Sequence, residues 1–177
     1  GDASAELRKF LKKFKLPVVT TLMGISSVDT TEELSMHMLG MHGTAYANYA
    51  VEDCDFLIAI GARFDDRVAG KVAEFAPNAR NIAHIDLDSA EIGKVKAVTW
   101  SHNAGAKRSI TELIKFGKDV KTNFSGWHKH LGSIKKKHCL NYNRKSPLIQ
   151  PAEVLIEMNK LTKGNAIIST GVGQHQM

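Results

Sequence analysis

The chain opens with an apolar stripe of helical period. Leu7, Phe10, Leu11 and Phe14 fall on one face of the segment from Ser4 to Phe14, with lysines opposite. That spacing predicts an amphipathic helix. Pro17 then introduces Val18-Val19-Thr20-Thr21, a short β-rich run that predicts a strand. Thr44 to Val51 is alanine-rich and predicts a helix. Phe56-Leu57-Ile58-Ala59-Ile60 is continuously apolar and stops at Gly61. A run of that kind suits a strand covered on both faces, and hence a parallel sheet. Asn81-Ile82-Ala83-His84-Ile85-Asp86 repeats the theme, and Ser89 to Val95 and Ser109 to Phe116 read as helices. The βαβα alternation implies an α/β fold, a Rossmann-like parallel sheet with helices on both faces.

The pattern changes after Gly117. Gly117 to Ser146 is lysine-rich, with Trp127, Leu131 and Ile134 at roughly helical spacing, and reads as a linker containing a short helix. Gln150-Pro151 starts a new element, because proline is favoured at the first helical position. Val154, Leu155, Met158 and Leu161 form its apolar stripe. Ala166 to Ser169 reads as a further strand, with Gly171 to Gln176 as its C-terminal loop. The expected organisation is a domain over 1–117, a linker over 118–150 and the start of a second domain over 151–177. The absence of an initiating Met and the stop at Met177 read as a piece of something longer.

Composition narrows the class. The chain has 177 residues, enough for a sizeable core, and a globular balance of residue types. It contains neither an apolar run of membrane-spanning length nor a signal peptide at its start. Cys54 and Cys139 are far apart in sequence and lack metal-ligand spacing, so both read as reduced thiols. The net charge of +6 is concentrated between Lys107 and Arg144. Without an aromatic platform or a binding motif, this reads as solvated surface rather than a nucleic-acid face.

The candidate chemistry sits at strand ends. In open parallel sheets, ligands lie beyond the carboxyl ends of the strands. Three ends are chemically marked: Thr21-Leu22-Met23-Gly24, Gly61-Ala62-Arg63, and Asp86-Leu87-Asp88. Gly40, Gly43 and Gly61 allow close approach of a ligand to the backbone. The helix starting at Gly43-Thr44 offers N–H groups to a phosphate. Arg63 and Arg67 can clamp phosphate oxygens, and Asp86 is placed to read ribose hydroxyls. Together they describe a dinucleotide site. The alternative is that Arg63, Asp65, Asp66 and Arg67 pair with one another at the surface. His42 is placed to contact a ligand and has no partner suited to catalysis.

Four ordered motifs resemble one family. They are Leu16-Pro-Val-Val-Thr-Thr-Leu-Met-Gly24, Met38-Leu-Gly-Met-His-Gly-Thr44, Gly61-Ala-Arg-Phe-Asp-Asp-Arg-Val68, and Gly171-Val-Gly-Gln-His-Gln-Met177. In order and spacing they resemble the large subunit of acetolactate synthase, across essentially the whole chain. The resemblance implies the central FAD-binding domain, without its first strand, and the opening of the thiamine-diphosphate-binding domain. It implies that Thr21, Leu22, Leu39, Gly40, Met41, His42, Gly61, Ala62, Arg63, Asp65, Arg67, Asp86 and Leu87 line FAD. It places Val172, Gly173, Gln174 and His175 against thiamine diphosphate. Met41, Asp66 and Arg67 match positions bordering the family's substrate channel. The catalytic glutamate and the Mg²⁺ motif are expected outside this chain, so the chain alone is expected to be inactive.

The implied reaction is the decarboxylating condensation of pyruvate with a second 2-keto acid, pyruvate or 2-ketobutyrate, in valine, leucine and isoleucine biosynthesis. The implied assembly is a homodimer or homotetramer with a regulatory small subunit. The implied location is the cytoplasm in a bacterium, or a plastid or mitochondrion in a eukaryote. One departure stands out: Ala104-Gly105 replaces the family's Gly-Asp before the last helix of this domain. The alternatives are a non-catalytic nucleotide-binding or regulatory module, or another thiamine-dependent carboligase.

Overall fold

The computed structural model describes residues 1–169, 171 and 173. Its first compact unit, Gly1–His138, holds two parallel sheets. Helix α1 (Ser4–Phe14) buries Phe10 and Phe14, as its stripe predicts. Strand β1 (Val18–Thr20) pairs in parallel with β2 (Ser35–Met38). Helix α2 (Ala45–Asp53) leads to β3 (Phe56–Ile60). The short helix α3 (Asp66–Ala69) follows, and then β4 (Asn81–Asp86). Strand β5 (Trp100–Asn103) and helix α4 (Ala106–Phe116) follow in turn, and α5 (Ser125–Lys137) closes the unit. Strands β3, β4 and β5 form the second sheet in that order, all parallel.

Helices cover both faces of the second sheet. On one face Phe10, Phe14 and Ile110 meet Ile58 and Ile60. On the other, Ala59 and Ile82 meet Phe64 and Ala69. The alternate residues of β3 thus serve two cores, as its continuously apolar run requires. A fully buried aliphatic side chain such as Ile110 contributes about 1.5–3 kcal/mol. The expected α/β class is therefore found, but its sheet is divided. Between the two sheets lies a cavity of about 660 Å³, lined by β1, by β3 and by Leu7, Phe10 and Leu11 of α1.

Two expectations are corrected. Ser89 to Val95 forms turns instead of a helix. Asp86 Oδ1 accepts from the Asp88 N–H, and Asp88 Oδ1 accepts from the Ala90 N–H, at 2.9 Å each. These side chains compete with a helical ladder for the backbone donors, and Gly93, at φ +70°, turns the chain again. The run from Ala166 to Ser169 forms no strand, because no described strand offers it a ladder. The segment expected as a linker containing a short helix carries the 13-residue α5, whose Leu131 is buried in a core with Met36, Tyr46, Ala47 and Val51. His130 donates to Asp53 at 2.8 Å, and Lys135 donates to the Ser35 carbonyl at 2.9 Å. The compact unit therefore runs past Gly117 to His138.

The second unit, Cys139–Met177, contains α6 (Pro151–Thr162). Its start follows the sequence: Pro151 opens the helix, and the Gln150 N–H donates to Glu153 Oε2 at 3.0 Å. Among the described residues, no helix is long and apolar enough to cross a membrane.

The two cysteines differ. Burial pushes the Cys54 thiol up to about 11, and neighbouring Asp55 and Asp53 add to the shift. Cys139 is exposed. At pH 8, Cys54 stays protonated and poorly nucleophilic. Iodoacetamide is expected to modify the exposed Cys139 at least tenfold faster, because Cys54 is part-buried and held as the thiol. Equal rates by peptide mass spectrometry would contradict this placement.

Candidate functional site

The loops that follow β1 to β4 meet at one edge of the sheets. The Leu39 N–H donates to the Thr20 carbonyl at 3.1 Å, tying the β2 end to the β1 end. The Met41 N–H donates to the Arg67 carbonyl at 2.9 Å, tying the β2 loop to the β3 loop. The Gly61 N–H donates to the Ile85 carbonyl at 2.8 Å, tying β3 to β4. These three contacts bring together Thr21, Leu22, Leu39, Gly40, Met41, Gly61, Ala62, Arg63, Arg67, Asp86 and Leu87.

Gly40 is required by the close approach of the two loops. It has φ +97°, and a Cβ there would lie 2.3 Å from the Arg67 carbonyl oxygen. The Asn48 side chain clasps its backbone, donating to the Gly40 carbonyl at 3.0 Å and accepting its N–H at 2.8 Å. The Gly40 to Gly43 loop is thereby fixed against α2 and against Arg67. Gly61, at φ +62°, differs because a Cβ there would meet nothing within 4 Å. Its surroundings leave room for another molecule to approach the backbone.

The arginine loop is anchored by Phe64. This residue is buried, adopts φ +57°, and stands edge-on to the rings of Phe75 and His84 at 5.8 and 5.2 Å. A bulky residue in left-handed backbone is costly and is held there by its packing. Burying Phe64 leaves its neighbour Arg63 in solvent. Asp65 Oδ1 accepts the Val68 N–H at 3.2 Å and so caps α3. Among the described residues, Arg63, Asp65, Asp66 and Arg67 form no salt bridge with one another. The Arg67 guanidinium lies 3.7 Å from the Met41 sulfur. Among the described residues no carboxylate holds either guanidinium, although Arg67 Nη1 donates to the Met41 sulfur, so the mutual-pairing alternative is not what the geometry shows.

Asp86 ends β4. With Oδ1 engaged by Asp88, Oδ2 has no hydrogen bond among the described residues and lies 3.8 Å from His84 Nε2. Asn103, which sequence reasoning missed, holds this corner by donating to the Asp86 and Leu87 carbonyls at 3.1 and 2.9 Å. Leu22, Met41 and Leu87, on three of these loops, are 69%, 63% and 77% exposed, and Met41 lies against Arg67. Exposed apolar side chains gathered around unpaired charge mark a binding surface.

Other residues depart from their expected roles. Leu39 is buried and presents only its backbone. His42 is exposed. The N–H groups of Gly43 and Thr44 go to the Gly40 and Met38 carbonyls, at 3.0 and 2.9 Å. Thr44 Oγ1 caps α2 through the Ala47 N–H. The expected phosphate contact at this helix start is therefore already satisfied internally. Gly105 leaves α4 without a side-chain cap. Val172, Gln174 and His175 lie outside the described residues, and Gly173 alone of that set is described.

The residues present suit a dinucleotide: guanidiniums without a carboxylate partner for a pyrophosphate, a carboxylate oxygen for a sugar diol, and exposed apolar side chains for flat rings. Sequence comparison identifies the class. The thiamine pyrophosphate enzyme central domain matches residues 1–113, and the chain belongs to that family. Within it, the chain is similar to the plant acetolactate synthases. It is 49% identical to acetolactate synthase 1, chloroplastic, of Nicotiana tabacum, over 100% of this chain and 27% of that protein. It is 46% identical to acetolactate synthase, chloroplastic, of Arabidopsis thaliana, over 99% of this chain and 27% of that protein. It is 46% identical to acetolactate synthase 1, chloroplastic, of Zea mays, over 97% of this chain and 27% of that protein. The resemblance read from four motifs thus holds along the chain, which spans roughly a quarter of the length of these relatives.

Proposed function

We propose that this chain is the flavin-carrying centre of an acetolactate synthase, with residues 1–117 belonging to the FAD-binding domain and 151–177 opening the thiamine-diphosphate-binding domain. The whole protein then condenses pyruvate with pyruvate or 2-ketobutyrate. It works as a homodimer or homotetramer with a regulatory small subunit. Because the relatives are chloroplastic plant proteins, the plastid is the favoured location. Thiamine diphosphate with Mg²⁺ supplies the carbon–carbon bond chemistry when bound. FAD undergoes no net redox change in the family's reaction.

The residues of this chain bind and orient. Arg63 and Arg67 hold the pyrophosphate of FAD, where charge-assisted pairs are strongest. Asp86 takes sugar hydroxyls through its free oxygen. Leu22, Met41 and Leu87 cover ring surface. Thr21, Gly40, Gly61 and Ala62 let the ligand lie against backbone. Leu39 and Asp65 act through backbone and loop shape, and His42 borders the site. Gly173, with Val172, Gln174 and His175, belongs to the thiamine diphosphate contact. Upstream of Gly1, a further strand fills the slot between β1 and β3.

The observation that supports this reading is that two exposed arginines without a carboxylate partner and the Asp86 carboxylate lie on loops tied together at one sheet edge, among the described residues. It is tested by titrating full-length protein with FAD, followed by flavin fluorescence. Arg67→Ala is expected to weaken binding about tenfold or more, the scale of a charge-assisted contact. Undiminished affinity would remove Arg67 from the site.

A further inference from the structure

We propose that His84 is a positioning residue, fixing the Asp86 carboxylate for the diol of the bound nucleotide; this rests on the flavin reading of the site. Strand β4 directs Ile82, His84 and Asp86 to one face, as its two-residue period requires. His84 is 0% exposed. Both of its ring nitrogens are buried and without a hydrogen-bond partner among the described residues. Its register partners are Ala59 on β3 and Ser101 on the exposed edge strand β5, and Phe64 stands edge-on at 5.2 Å; none of the three bonds a ring nitrogen. A phenylalanine or leucine would fill such a space without the cost of an unpaired buried donor. A histidine kept there calls for a polar explanation.

Asp86 supplies that explanation. Its Oδ2, 3.8 Å from His84 Nε2, is the oxygen that Asp88 leaves free. A shift of under about 1 Å converts this approach into a hydrogen bond. An Nε2–H donated to Oδ2 fixes the plane of the carboxylate and leaves lone pairs for a ligand hydroxyl. The same ring packs on Phe64, which sits between Arg63 and Asp65 in strained backbone. His84 thus touches both halves of the site, the acid and the arginine loop, without meeting the ligand. Sequence reading passed over it as one more member of an apolar strand; a lone histidine two residues before a strand-ending aspartate was the available signal.

The test is a double-mutant cycle on full-length protein, with FAD affinity read by flavin fluorescence and visible circular dichroism. His84→Phe keeps the ring packing and removes the donor. It is expected to weaken FAD binding about tenfold. His84→Gln, which returns an N–H, is expected to recover most of that loss. In an Asp86→Asn background, His84→Phe is expected to change affinity less than about twofold, because residues acting through one contact are not additive. Equal losses in both backgrounds, or no loss in either, would reduce His84 to a packing residue and overturn the proposal. Wild-type protein that fails to bind FAD would overturn the flavin reading, and the role of His84 with it. If His84→Phe does not fold, His84→Leu completes the same cycle.

Discussion

Gly40→Ala is expected to destabilise the protein by about 3–4 kcal/mol and to abolish tight flavin binding. Two costs combine. An alanine must adopt φ +97°, and its Cβ must displace the Arg67 carbonyl from 2.3 Å. The neighbour is backbone, so no side-chain rotation relieves the clash. The β2 and β3 loops then separate, the Met41 N–H loses its acceptor, and Arg67 is no longer aimed. Gly61→Ala is the internal control. Its φ of +62° costs about 1 kcal/mol, and its Cβ meets nothing. That variant is expected to fold nearly normally yet bind FAD more weakly, since the new methyl occupies space the ligand needs. Urea unfolding and FAD titration on both variants separate the effects. A loss below 1 kcal/mol for Gly40→Ala would mean that the two loops are not latched as described.

The second large effect concerns the cavity between the sheets. Extending the chain upstream of Gly1 by about 20 residues is expected to raise its unfolding free energy by several kcal/mol, on the scale of filling a large apolar cavity. The slot separates two strands that each have one partner. β1 is paired to β2 and β3 to β4, while both strands line the same cavity. Helix α1 lines the slot through Leu7, Phe10 and Leu11 and then feeds β1, the place a crossover helix would take if a strand preceded it. The extended chain is expected to show a higher urea midpoint and a steeper slope. An unchanged midpoint would contradict the assignment. A midpoint of the shorter chain that rises with protein concentration would instead show a second copy filling the slot.

Strands β3 and β4 were legible to the residue, because each is an apolar run ended by a residue with its own reason to stop: Gly61 turns the chain, and Asp86 caps the following turn. β2 and β5 were not. Ser-Met-His-Met and Trp-Ser-His-Asn carry no apolar run, and β5 is exposed along its length as an edge strand. The helix of α5 was legible in the spacing of Trp127, Leu131 and Ile134, but its docking was not, because the bonds of His130 to Asp53 and of Lys135 to Ser35 join residues distant in sequence. Among site residues, the arginines were legible because charge after an apolar strand has few structural uses. The helix start at Thr44 misled, because N–H groups offered by a sequence can be taken by nearby carbonyls that only the fold brings close. Asp65 reads equally as ligand and as cap until the Val68 N–H is placed against it.

The most direct test of the whole account is acetolactate formation from pyruvate by the full-length protein, with thiamine diphosphate and Mg²⁺, with and without FAD. Product formed only when FAD is present is the expected result, and Arg67→Ala is expected to raise the FAD concentration required. Turnover that is indifferent to FAD would contradict the flavin site and make the Gly105 substitution the mark of its loss. An absence of acetolactate under every condition would contradict the assigned reaction itself.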